Sequence, residues 1–383
     1  MQVQQKVLTS LDPSVLTPSA LAPLAAINPN LVLVFAAPSY FSNPDFAGWL
    51  KQAFPAARRV AASTAGEISA QGVSDNSIVV TAIRFDKTAF KVAATDIAGM
   101  EDSAGAGKRL AEQLNAPDLK AVVLLSQGVA VNGSDLIAGA TSALPKTVPL
   151  TGGLAGDNGA FTQTWTLLDD TVSDKQMLAV GLYGDAVNFA HGSFGGWQSF
   201  GPVRRATKAI GNVLFELDGE PALEIYKRYL GDYAKDLPAS GLLFPFAILS
   251  GDREETGLIR TLLGIDEAAG SLTLAGDIPQ DGFLRLMHAS TEALVDGAEA
   301  AAEAAQRSIK QSSQSLALLV SCIGRKLVMG DRVDEEVEAV GAVFGQNCVL
   351  TGFYSNGEIS PFLDTTECKL HNQTMTITYI GEA

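Results

Sequence analysis

The sequence predicts an α/β protein of two domains, with mixed sheets built from repeated βαβ-like units and flanked by helices. Three observations predict it. The chain has 383 residues, more than one ordinary core organises, so two domains are expected. Three apolar runs of strand length, Leu31–Phe35, Ala121–Leu125 and Leu316–Val320, are each followed, about 25–30 residues on, by a glycine-punctuated polar stretch, a strand–helix–strand spacing. Those stretches are Thr64–Ser69, Thr151–Gly159 and Thr351–Ser360. The first and third share Gly-Glu-Ile-Ser outright, at Gly66–Ser69 and Gly357–Ser360.

Residues 1–28 read as a lead-in. Met1–Thr9 alternates polar and apolar residues and lacks the basic and apolar segments of a secretory leader. Residues 29–220 form the first domain and hold two of the three units. His191–Pro202, dense in glycine and aromatics, reads as a connection, and Leu217–Glu220 as a turn that closes the domain. Residues 221–383 form the second domain, with a terminal strand. Its first helix lies between Pro221 and Gly231 and buries Leu223, Ile225, Tyr226, Tyr229 and Leu230. A helix rich in Ala and Glu is expected over Thr291–Lys310. Asp331 is placed to cap another, whose apolar stripe is Val333, Val337, Val340 and Phe344.

Apolar residues make up 47% of the chain and charged ones 18%, the composition of a globular protein with much to bury. No run approaches the roughly 18 apolar residues of a membrane-spanning helix, so membrane insertion is not expected. A formal charge of −15 disfavours nucleic acid as a partner. The nearest basic patch, Arg204, Arg205 and Lys208, reads as a solvated face. Cys322, Cys348 and Cys368 form no Cys-x-x-Cys pair, which fits a reducing, cytoplasmic location.

Several segments then converge. Gly152–Asp157, Gly196-Trp197 with Gly201-Pro202, and Leu217–Gly219 with Pro221-Ala222 resemble the first half of the FIST (F-box and intracellular signal transduction) proteins. Ser321–Arg325, Gly352–Ile359 and His371–Met375 resemble the second half. The resemblance runs from about residue 29 onward. It implies an N-terminal and a C-terminal FIST domain in a bacterial sensory signal-transduction protein that binds small ligands, amino acids among them. Some relatives resemble haem-carrying nitric oxide sensors that regulate histidine kinases. The two halves consume the length of this chain, so signalling through a separate partner, such as a histidine kinase in trans, is expected.

The candidate ligand-binding residues come from three places. In the Thr151–Gly159 stretch, Gly152 and Gly153 allow close backbone approach, while Asp157 and Asn158 could meet an ammonium or a carboxylate. A plain tight turn is the alternative, and neither a Walker loop nor Gly-x-Gly-x-x-Gly is present. Arg325 follows a strand end and its planar fork suits a carboxylate or a haem propionate; pairing with Glu358 is the alternative. Tyr354, Asn356 and Glu358 complete the set, with Glu67 equivalent to Glu358. The expected ligand touches both polar stretches in one cavity between the domains. His371 is the candidate axial ligand of a haem iron and hence the candidate metal ligand, with hydrogen bonding to a neighbouring loop as the alternative. In an extended segment His371, Gln373 and Met375 would share a face, and His371 and Met375 would lie about 13 Å apart, too far to ligate one iron from both sides. An enzyme using Cys322 ranks last, because a thiol nucleophile needs a base and none of the three histidines stands near it. A non-enzymatic protein is expected.

Overall fold

The computed structural model describes residues 1–9, 17–310, 312–361 and 367–383. Of the lead-in, residues 10–16 lie outside the described residues. The α/β class with mixed sheets and flanking helices is what the chain adopts, and three repeats of one unit organise it.

The first repeat contains β1 (Gln2–Leu8), α1 (Ala22–Ala25), β2 (Leu31–Ala36), α2 (Pro38–Phe41), α3 (Phe46–Ala53), β3 (Arg58–Ser63), the hairpin β4 (Glu67–Ser69) and β5 (Gly72–Ser74), and β6 (Ile78–Arg84). The second contains β7 (Ala89–Asp96), α4 (Ser103–Leu114), β8 (Leu119–Ser126), α5 (Gly133–Ala143), β9 (Leu150–Leu154), β10 (Thr166–Leu168), β11 (Thr171–Ser173) and β12 (Gln176–Tyr183).

The third repeat opens with β13 (Val187–Phe194) and is then interrupted by an inserted antiparallel sheet. That sheet comprises β14 (Gln198–Ile210), β15 (Val213–Leu217), β16 (Glu220–Pro221), β17 (Phe246–Leu249), β18 (Glu255–Arg260), β19 (Leu262–Asp266), β20 (Ser271–Leu274) and β21 (Phe283–His288), with α6 (Ala222–Leu230) packed on it. The repeat resumes with α7 (Thr291–Gln306), β22 (Ser315–Cys322), α8 (Ile323–Met329), α9 (Asp334–Phe344), β23 (Cys348–Ser355), β24 (Gly357–Pro361), β25 (Cys368–His371) and β26 (Met375–Glu382).

Three sheets of identical plan follow: β1-β6-β2-β3-β10-β11, β7-β12-β8-β9-β24-β25 and β13-β26-β22-β23-β4-β5. In each, one central pair is parallel (β2 with β3, β8 with β9, β22 with β23) and the other pairings are antiparallel. Each repeat lends its hairpin to a neighbour. β4–β5 extends the third sheet, β10–β11 the first and β24–β25 the second.

The inner faces of all three sheets meet in one core, with Leu33, Phe35, Val60, Val123, Leu125, Leu318, Val320 and Phe353 among its members. Phe35 stacks on Phe353 with ring centroids 4.7 Å apart. Helices cover the outer faces, so alternate residues of β2 (Val32, Val34, Ala36) pack beneath them. Burial on both faces explains the unbroken apolar runs in the sequence.

The helix between Pro221 and Gly231 forms as expected, with Gly231 at φ 57 beyond its end. Thr291–Gln306 is helical, and the side chain of Ser290 caps it by accepting from Ala293 N. Three local expectations are corrected. His191–Pro202 is mostly strand, broken only over 195–197. Its glycines serve close packing on α7: a Cβ at Gly192 or Gly196 would lie 1.9 Å from the carbonyl oxygen of Ala301 or Ala293. Asp331 sits in a short 3-10 turn and does not cap α9, which starts at Asp334. His371 ends β25 and Met375 opens β26, with a bend over 372–374 and Gln373 at φ 64, so the face-sharing of an extended strand does not apply.

Candidate functional site

The C-terminal ends of β3, β9 and β23 converge on one another as backbone. Ala65 N donates to Tyr354 O at 2.8 Å, Gly156 N to Ser63 O at 2.9 Å and Asn356 N to Leu154 O at 3.2 Å, a closed ring of three equivalent bonds. The shared Gly-Glu-Ile-Ser motif sits beside this ring. Glu67 accepts from the Thr64 hydroxyl, from Ser77 N at 3.0 Å and from Ser77 Oγ at 2.6 Å. Glu358 accepts from Ser355 Oγ at 2.7 Å, Thr374 N at 3.2 Å and Thr374 Oγ1 at 3.0 Å. In the second repeat Thr166 occupies the same register position and donates to Gln176 O at 3.0 Å. These carboxylates close their hairpins. Burial outweighs the three donors in each case and pushes Glu67 up to about 7 and Glu358 up to about 8.

The two polar stretches thus meet, as paired strands. Glu358 lies opposite Gly153 and Ile359 opposite Gly152. Gly152 has φ 134, and a Cβ there would fall 1.8 Å from Leu124 O; one at Gly153 would fall 2.5 Å from Val320 Cγ1. Asp157 accepts from the backbone N–H groups of Phe161, Thr162 and Gln163, which organises the turn after β9. Asn158 is exposed at φ 58, with its own N–H on Thr64 O. Asn356 donates weakly to Gly128 O at 3.4 Å, and its buried Oδ1 has no partner among the described residues.

Arg325 is fully buried, and its partner is Glu336 instead of Glu358. Nη2 lies 2.8 Å and Nε 3.1 Å from Glu336 Oε2, and further bonds go to Leu294 O and Gly195 O. Glu336 also accepts from Ser321 Oγ and the Tyr354 hydroxyl. Tyr354 is itself fully buried, with Lys326 Nζ 5.5 Å from its ring centroid. None of the candidates Gly152, Gly153, Asp157, Asn158, Arg325, Tyr354, Asn356 and Glu358 lines either of the two recesses described below. The thiol of Cys322 is pushed up by burial and then by Glu358, the opposite of what a nucleophile needs.

His371 is 3% exposed, and its Nε2 lies 2.9 Å from Ser360 O. Burial lowers its pKa to about 4, so the ring is neutral at pH 7. A neutral imidazole is the right form for iron. The Nε2 contact of His371 to a carbonyl is one that a metal-ligating histidine also makes through its second ring nitrogen. Among the described residues no group of three or more His, Cys, Asp or Glu is placed to hold a metal ion.

The largest recess described, about 710 Å³, lies where α5 faces β18 and β25. One wall carries Ser134, Ile137, Thr141 and Lys146; the other carries Leu258, Arg260, Asp277, Cys368 and Lys369. Arg260 is 5% exposed. Its guanidinium meets only carbonyls: Nε to Asp277 O at 3.3 Å, Nη1 to Ile259 O at 3.1 Å and to Leu370 O at 3.2 Å. Among the described residues no carboxylate lies within ion-pairing distance of it. Burial pulls its pKa down to about 10, countered in part by the more distant Asp277 charge, so it remains a cation at neutral pH. Gly276 makes room for it, since a Cβ there would lie 2.8 Å from Arg260 Nε. A buried cation with no carboxylate in ion-pairing distance among the described residues, beside a cavity of small-molecule size, is equipped to take an anionic group.

Sequence reasoning missed Arg260 and Glu336. Arg260 interrupts the apolar run Leu258–Leu263, and Glu336 lies in the helical stripe of Val333, Val337 and Val340. A charge in phase with buried neighbours is the signal that was available.

This is a two-domain α/β architecture of mixed sheets and flanking helices. Residues 30–220 match the FIST N domain and residues 222–361 the FIST C domain. The chain belongs to the FIST family, a family of small-molecule sensory domains. The uncharacterized protein MJ1623 of Methanocaldococcus jannaschii is 34% identical over 89 residues, 23% of this chain; the match spans only 17% of that relative's length. A crystal structure of cyanuric acid hydrolase from A. caulinodans covers 99% of this chain and 98% of its own, at 8% identity and a TM-score of 0.38. A likeness that low carries no argument about activity. No helix among the described residues is long and apolar enough to cross a membrane.

Proposed function

We propose that this protein senses a small carboxylate-bearing molecule, of amino-acid size, in the recess between its two FIST domains and signals to a separate partner such as a histidine kinase. The observation that carries this reading is Arg260, a buried guanidinium with no paired carboxylate among the described residues, beside a recess of about 710 Å³. α5 belongs to the N-terminal domain, and β18 and β25 lie in the C-terminal half. A ligand bridging them favours one relative placement of the two walls, and that differential affinity is what a partner reads. Asp277, which lines the same recess, suits the ammonium end of an amino acid.

The test is a thermal-shift and calorimetric screen of the common amino acids and simple carboxylates. A charge-assisted bond is worth about 1.5–3 kcal/mol. Arg260→Gln should therefore weaken the best ligand by about tenfold to a hundredfold while the far-ultraviolet circular dichroism stays unchanged. Binding that persists undiminished in Arg260→Gln would exclude this site.

A further inference from the structure

A second recess, about 420 Å³, lies on the other side of β18, lined by Phe194, Trp197, Ile259, Met287, Glu255 and His371 among others. Glu255, Gly257 and Ile259 of β18 line this recess, Arg260 lines the first, and Leu258 borders both. The chemistry of the two is opposite. The first recess presents a buried cation. The second has a mostly apolar lining and one carboxylate, and none of its described lining residues is Lys or Arg. His371 adds no charge at neutral pH.

Glu255 accepts from Ser199 Oγ, and among the described residues no cation lies within ion-pairing distance of it. It stands exposed at the rim. Trp197 is held in place by donation from its Nε1 to Gln373 O at 2.7 Å. An aromatic wall, a carboxylate at the mouth and a pocket of this size together suit an ammonium group carried on an apolar body.

We propose that this recess is a second ligand site, distinct from the carboxylate site, and that it takes an organic cation about the size of phenethylamine. The ammonium pairs with Glu255, and the apolar body packs on Trp197, Ile259 and Met287.

The probe is phenethylammonium, with 3-phenylpropionate as its counterpart of similar shape and opposite charge. Titration followed by tryptophan fluorescence and calorimetry should show saturable binding of the amine and binding of the carboxylate at least tenfold weaker. Trp197→Phe should remove the fluorescence response, which assigns it to this residue. Glu255→Gln should weaken the amine by about threefold, the modest effect of an exposed ion pair. Glu255→Lys should reverse the preference toward the carboxylate. Arg260→Gln should leave amine binding unchanged, which separates failure here from failure of the first site. Absence of saturable amine binding, equal affinity for the two probes, or indifference to both Glu255 variants would overturn the proposal.

Discussion

Replacing Arg325 tests whether this guanidinium holds the fold or a ligand. Both it and Glu336 are fully shielded from water, so Arg325→Met leaves Glu336 as an uncompensated buried carboxylate. Removing one member of such a pair costs about 3–5 kcal/mol. The lost bonds to Leu294 O and Gly195 O loosen the contacts of α8 with α7 and with the break between β13 and β14. Against a total stability of about 5–15 kcal/mol, this is a large fraction. In urea, with a slope of about 2–3 kcal/mol/M, the midpoint should fall by about 1–2 M. Glu336→Gln keeps an acceptor for the Tyr354 and Ser321 hydroxyls while removing the charge. The double variant Arg325→Met/Glu336→Gln should therefore be more stable than Arg325→Met alone. Circular dichroism and tryptophan fluorescence should be followed together, because a chain of two domains need not unfold in one step. An unchanged midpoint in Arg325→Met, together with lost ligand binding, would refute the clamp and restore Arg325 to direct recognition.

Three further outcomes are expected. Glu67 and Glu358 have folded-state pKa values raised to about 7 and about 8 from 4.5, so the native state binds more protons than the unfolded one in that window. Their contribution to stability is fully present below pH 4.5 and is lost as pH rises through 7 and 8; urea midpoints should fall across this range, and Glu358→Gln should flatten the slope. Gly152→Ala forces a Cβ to within 1.8 Å of Leu124 O at φ 134 and should cost more than about 4 kcal/mol, read as loss of folded protein. Gly48→Ala, in α3 with nothing within 4 Å, should instead stabilise by about 0.5–1 kcal/mol.

Much of the architecture was legible because it rests on local rules. The runs at Leu31, Ala121 and Leu316 are apolar on both faces since helices cover one side and the shared core the other. Gly-Glu-Ile-Ser recurs because Glu67 and Glu358 each need a hydroxyl three residues earlier and a Ser or Thr at the hairpin's exit. Nothing local shows that β4 pairs with β23 or β24 with β9, since strand propensity is silent about which strand supplies the partner. The same silence concealed Arg260, whose recess is made by α5 and β18, far apart in sequence. Nothing local announces the turn at Gln373, whose φ of 64 goes with its side chain packing against Gly324 and donating to Leu242 O.

The exchange of hairpins between repeats bears on how the protein is made. Glu67 finds its partner Phe353 roughly 280 residues later, which at about 5–20 residues per second is a wait of some 15–60 s on the ribosome. During that interval the nascent first repeat carries an unmated β4–β5 ribbon and an uncovered Phe35. Both are surfaces that a chaperone would occupy, and both are covered by one later strand, β23, which pairs with β4 and sets Phe353 against Phe35.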